Sequence, residues 1–185
     1  MIFNDHSNLK GTHALFSPSN YHWLHYTDEK FINTFHSTRA KEIGTQLHEF
    51  AESAIRLNQK LPKTKKTLNM YVNDTISFKM EPEVVLYYSN LFYGTTDALI
   101  FRNGLLRIHD LKTGTTPANM DQLLIYAALY CLEYQVKPEE IAIELRIYQM
   151  DQIIFYNPEP KEVRDCMNTS IHFDKLARKL IAEEG

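Results

Sequence analysis

The chain has 185 residues, 44% hydrophobic and 23% charged, with a formal net charge of −3. That length suits one domain with a proper core. No apolar run approaches the roughly 18 residues of a membrane span and no basic-then-apolar leader opens the chain, so a cytoplasmic protein without a membrane partner is expected.

Two cysteines, Cys131 and Cys166, occur without a Cys-x-x-Cys spacing, which excludes a sequence-visible zinc or iron–sulfur site. The negative balance argues against a surface coated in positive charge for tight non-specific nucleic-acid binding, but leaves room for a local basic groove. Residues 1–16 have weak periodicity and read as a loosely held arm. Ser17-Pro18 is a helix start, with Ser17 as N-cap and Pro18 at the first helical position. The short helix that follows carries Trp23, either a core-packing residue or an aromatic lid.

From Ser37 to Leu57 the pattern is helical, with Ile43, Leu47, Phe50, Ala51 and Ala54 as its apolar stripe. Gly44, His48 and Glu52 form a row at the stripe's edge, one turn apart. A glycine one turn before a histidine leaves space for something to approach it. A histidine there serves either as a structural hydrogen-bonder or as a ligand. Leu57 to Asn69 contains Pro62 and should be a loop or helix end. Its Lys60, Lys63, Lys65 and Lys66 read either as a solvated loop or as a phosphate-contacting arm. Tyr71-Val72 and Ile76 to Met80 around Asn73-Asp74 predict two strands. Glu81-Pro82-Glu83 then leads into the β-rich run Val84 to Tyr88.

The richest stretch is Gly94-Thr95-Thr96-Asp97, followed by His109-Asp110-Leu111-Lys112-Thr113-Gly114. Between them, two β-prone runs flank Asn103-Gly104, the strongest short-range signal for a two-residue hairpin. With that turn as origin, Asp97 lies directly across the ladder from Asp110, with Cβ atoms about 4.5–5.5 Å apart. Opposed like charges destabilise a bare hairpin, so they need compensation. Lys112 shares Asp110's side of the strand because side chains alternate. Two carboxylates and an ammonium therefore converge, a set suited to Mg²⁺ or Mn²⁺. The competing reading makes the acids surface residues with Lys112 as an ion-pair partner.

Past Lys112, residues 113–117 break the strand and start a helix from Ala118 to about Gln135. Leu123, Leu124, Ala127, Ala128 and Cys131 line its core face, leaving Gln122, Tyr126 and Tyr130 on the other. Ile141 to Gln149 alternates as a half-buried strand, Ile153 to Tyr156 returns beside it, and residues 161–183 form a closing helix. This order predicts an α/β fold with a central mixed sheet flanked by helices, in a single domain, 1–185.

Gly-x-x-Asp, then Asp-x-Lys-Thr-Gly, then a helix with Gln122 and Tyr126 resembles the PD-(D/E)XK nuclease superfamily, in particular its RecB-like and phage-exonuclease branch. The likeness covers roughly residues 40–130, with Asp where the second acid is otherwise Glu. It implies a restriction-endonuclease-like core and a Mg²⁺- or Mn²⁺-dependent deoxyribonuclease, an exonuclease of DNA recombination, repair or phage DNA processing. It implies Asp97 and Asp110 as metal ligands joined by His48, with Lys112 catalytic. Gln122 and Tyr126 would act on substrate or orient catalytic groups, and an upstream acid, Glu83, with Glu52 a turn beyond His48, would be accessory. DNA, duplex or single-stranded, would be the partner, with homo-oligomers an open expectation and no iron–sulfur cluster. The rival reading is a catalytically silent protein of this fold that binds nucleic acid or a protein partner.

Overall fold

Five strands, β1 (Glu81–Ser89), β2 (Phe92–Arg102), β3 (Leu105–Leu111), β4 (Ala142–Gln149) and β5 (Gln152–Tyr156), form one sheet in sequence order. Neighbours run antiparallel except β3 and β4, which are parallel. A parallel pair needs a crossover, and helix α3 (Asp121–Glu133) lies within it. The chain is therefore α/β with a mixed sheet flanked by helices. This computed structural model describes residue 5, residues 7–9, residues 11 and 14, and residues 17–184. The arm expected over residues 1–16 lies largely outside the described residues.

Two compact units are present, Met1–Thr45 and Gln46–Gly185. In the first, a 3-10 helix spans Pro18–His25, with Ser17 at the N-cap position and Pro18 first in the helix as expected. Ser17 makes no side-chain cap, because its hydroxyl bonds that of Ser19 at 2.7 Å, and the Trp23 indole N–H donates to Ser17 O. The helix expected from Ser37 is α1 (Asp28–Arg56) and starts a few turns earlier. Thr27 Oγ1 accepts the Lys30 N–H at 3.3 Å, and Asp28 and Glu29 fill the first turn, where acids favour the helix dipole.

The second unit holds the sheet. On one side, Leu86, Leu99, Leu106, Ile108, Leu145 and Ile147 pack with Leu123, Ala127 and Leu129 of α3 and with Val163 of helix α4 (Pro160–Glu184). A second cluster joins Ala51, Ala54 and Ile55 of α1 and Tyr71, Val72 and Ile76 to Ala98, Leu111 and Tyr148. Ile108 and Leu111 on β3, and Ile147 and Tyr148 on β4, split between the clusters, as strand alternation requires. Among the described residues, no helix is long and apolar enough to cross a membrane.

The two strands expected around Asn73-Asp74 are instead one helix, α2 (Thr67–Phe78). Its buried residues, Tyr71, Val72, Thr75 and Ile76, recur at helical spacing. Asp151, from the turn between β4 and β5, caps it by accepting the Thr67 N–H at 2.8 Å. Lys79 closes it in the left-handed region at φ 58°. Asn73 makes no local turn, since its amide brackets the backbone N–H and C=O of Leu61 at 2.9 and 3.0 Å.

Candidate functional site

The Asn103-Gly104 turn takes left-handed φ values of 52° and 74°, which a two-residue hairpin loop of this kind requires. Pairing starts at Arg102 and Leu105 and runs to Ala98 and His109. The ladder stops one rung short of the expected Asp97–Asp110 pair, with the two acids close enough for Asp110 to raise the Asp97 carboxyl. On the other side of β2, Pro82 pairs with Ala98 and Val84 with Thr96, which puts Glu83 opposite Asp97. Glu83, Asp97 and Asp110 thus come from three adjacent strands. Glu83 sits at φ 53°, a left-handed conformation that costs a non-glycine residue about 1 kcal/mol or more. The paired rungs on both sides of it hold that strain in place.

His48, near the C-terminal end of α1, places its Nδ1 3.5 Å from Asp97 Oδ1. One ligand atom each from His48, Glu83 and Asp97 lies within 4.8 Å of the others. Donors on opposite sides of a cation at about 2.1 Å would be about 4.2 Å apart, so the three fit a divalent cation after small adjustment. Two carboxylates suit Mg²⁺ or Mn²⁺, and the imidazole tilts the set toward Mn²⁺. Asp97 Oδ2 is held separately by the Leu111 N–H at 2.7 Å, which orients Oδ1 toward the histidine.

Asp110 is 3% exposed. Its Oδ1 accepts Lys112 Nζ at 3.0 Å, while Oδ2 is buried with no hydrogen-bond partner among the described residues. A buried orphan carboxylate oxygen is costly, and it is the kind of group that a cation or a substrate-associated water satisfies. Lys112 also donates to Gln122 Oε1 at 2.8 Å. Its backbone N–H donates to Tyr148 O at 2.9 Å, extending the anchor of β3 on β4 past the strand's end.

Gln122 Nε2 stands 3.5 Å from the Tyr126 hydroxyl, which donates to Thr95 O at 2.5 Å. The two residues expected to serve substrate therefore engage the lysine and strand β2. Gly94 leaves room for the tyrosine, because an added Cβ would stand 3.0 Å from Tyr126 Cε1, a tight contact that the ring would have to yield to. On the nuclease reading that the sequence motif suggests, replacing Gln122 by Ala should take one of Lys112's two partners away and slow cleavage by roughly 10²-fold, the scale of a misplaced reacting group. Mn²⁺ affinity should stay near wild type, as a titration would show.

Burial and the nearby Asp110 push the Asp97 carboxyl up to about 6, against the downward pull of His48, the Leu111 N–H and Lys112. Burial raises Asp110 as well, opposed by Lys112. Glu83 is raised by burial and then by Glu52. All three acids are thus harder to ionise than in water, a state that a bound divalent charge reverses.

Glu52 stands outside the ligand group and pairs with Arg56 at 2.8 Å. Tyr130, expected on the exposed side of α3, is 6% exposed and packs against Phe101. The α3 core face is wider than the heptad-like stripe suggested. Lys66 pairs with Asp151, while Lys60 and Lys63 rim a separate cavity of about 460 Å³. Two residues near the site carried no sequence signal. Tyr71, fully buried on α2, has its phenol raised by burial and by Asp97, Glu83 and Asp110. Gln149, 2% exposed, accepts the Ala118 N–H at 3.0 Å and donates to Gly114 O and Thr116 O at 2.8 Å each. It fastens the segment between Lys112 and α3. Compared with family models, curated proteins and solved structures, the chain finds no match.

Proposed function

We propose that this chain is a metal-dependent deoxyribonuclease with a restriction-endonuclease-like core, hydrolysing phosphodiester bonds as an exonuclease. The observation that carries the reading is the set of Glu83, Asp97 and Asp110 on three adjacent strands, with His48 beside Glu83 and Asp97 and Lys112 paired to Asp110. A binding module has no need to hold three acids together at a cost in stability. The mixed sheet that presents them, flanked by helices, supports the same reading.

His48, Glu83 and Asp97 would hold Mg²⁺ or Mn²⁺, with the unpartnered Oδ2 of Asp110, expected as a ligand but outside their cluster, a further acceptor. A bound divalent cation supplies Lewis acidity, lowering the pKa of water and drawing charge from a phosphate oxygen. Lys112, fixed between Asp110 and Gln122, carries the ammonium that neutralises charge developing on the phosphate or orients the attacking water. Tyr126 ties α3 to β2 through Thr95 O, and Gln149 fastens the segment that follows that lysine. Cytoplasmic DNA processing, in recombination, repair or phage replication, is the setting this chemistry suits.

Calorimetric titration with Mn²⁺ separates this reading from a silent binding protein of the same fold. Saturable binding that Asp97→Asn removes is the expected result. Heat no different from buffer at millimolar Mn²⁺ would favour the silent protein.

A further inference from the structure

Along β1, Glu83, Val85 and Tyr87 are exposed, alternating with the buried or half-buried Pro82, Val84, Leu86 and Tyr88. Their partners on β2 are Asp97 by register, Thr95 and Tyr93. One solvent-facing strip therefore runs from Glu83 and Asp97 to a tyrosine pair. Tyr93 is 62% exposed and Tyr87 47%. Their rings are stacked with centroids 6.4 Å apart and planes 29° apart. Tyr93 lies four residues from Asp97 on the same strand, about 13 Å at the rise of a β-strand.

We propose that Tyr87 and Tyr93 are a base-stacking platform that binds unpaired nucleotides of single-stranded DNA and leads the chain toward the three acids. An exposed, paired aromatic face on a sheet suits this ligand, because every base offers a π-face once it is unstacked from a duplex. The Tyr87 hydroxyl is engaged by Asn90 Oδ1 at 2.8 Å, which holds its ring in place. The strip carries no lysine or arginine among its named residues, so stacking and not phosphate neutralisation supplies the affinity here. The strip is continuous with the candidate site, which gives the strand a direction, and the path toward cleavage rests on the nuclease reading. The binding itself does not.

The test measures anisotropy of a fluorescein-labelled oligothymidylate in EDTA, where no cleavage occurs. Wild type is compared with Tyr87→Thr/Tyr93→Thr, which keeps strand-forming residues, and with Tyr87→Phe/Tyr93→Phe, which keeps the rings. The threonine variant should bind at least about tenfold more weakly, as loss of base stacking implies, and the phenylalanine variant close to wild type. Because stacking releases few counterions, the gap between variants should persist at high salt. Equal affinity in the threonine variant, no binding by wild type, or a dimer in sedimentation that the threonine variant dissolves each overturns the platform. If the threonine variant does not fold by circular dichroism, photo-cross-linking wild type to an iodouracil oligonucleotide decides. Adducts on Tyr87 or Tyr93 support the platform, and adducts only elsewhere sink it. Cleavage in Mg²⁺ or Mn²⁺ is scored separately. Wild type that binds but never cleaves removes the nuclease reading alone. Cleavage with unchanged affinity in the threonine variant removes the platform alone.

Discussion

On the proposed nuclease reading, Asp110→Asn should abolish cleavage and at the same time stabilise the ion-free protein. The activity loss should be at least about 10³-fold, since one electrostatic group at a reacting centre contributes about 10²–10³ and this one also restrains Lys112. The stability gain follows from the sign of the pKa shifts. Asp97 and Asp110 both have folded values raised above their unfolded ones, with Asp97 at about 6. Such carboxyls contribute stability that is complete below the unfolded value near 3.9 and is lost as pH rises through the folded value. At neutral pH the ion-free site therefore carries a penalty, of the order of 1–3 kcal/mol. The isosteric amide removes one charge and lets the other ionise more easily. In EDTA at pH 8, Tm should rise by several degrees, at about 2–4 °C per kcal/mol for a chain of this size. At pH 4 the difference between variant and wild type should largely vanish. A variant that melts at or below the wild-type temperature at pH 8 would show that the neighbouring acids are not a stored cost.

Lys112→Met should lower cleavage by roughly 10²–10³-fold while Mn²⁺ affinity changes little. The lysine ammonium is bonded to Asp110 and Gln122, neither of which belongs to the His48, Glu83 and Asp97 cluster. Methionine keeps much of the stem's volume and removes only the charged head, so packing is not the variable. Loss of that charge also removes the main influence holding Asp110 down, so residual activity should need a higher pH than wild type. Comparing the two pH profiles tests this directly. Wild-type rates in Lys112→Met, or an unshifted profile, would reassign the lysine to a surface ion pair.

The parts of this site that could be read in the sequence are those written in local chemistry. Asn103-Gly104 sets the β2–β3 register by itself, and alternation then carries Asp97, Asp110 and Lys112 into place. Glu83 is not placed by local pattern, because the two-residue turn Asn90-Leu91 that joins β1 to β2 lacks an Asn-Gly signal and a register shift between Tyr87 and Ser89 intervenes. Helix α2 is hidden from local pattern because its cap comes from Asp151, distant in the sequence, and because Asn73 and Asp74 spend their turn-forming side chains on Leu61, Tyr148 and Arg146. Gln149 looked like the last residue of an ordinary strand, and its three backbone bonds appear only once β4 lies beside the segment after Lys112. Gly94 likewise gains its meaning from Tyr126, brought over it by α3.

The most direct measurement is incubation of the purified chain with linear and circular DNA, labelled at either end where an end exists, in Mg²⁺, Mn²⁺ and EDTA. Progressive loss of label from linear DNA with either cation, none in EDTA, and intact circles are the predicted result. Linear DNA that stays intact in both cations would contradict the account.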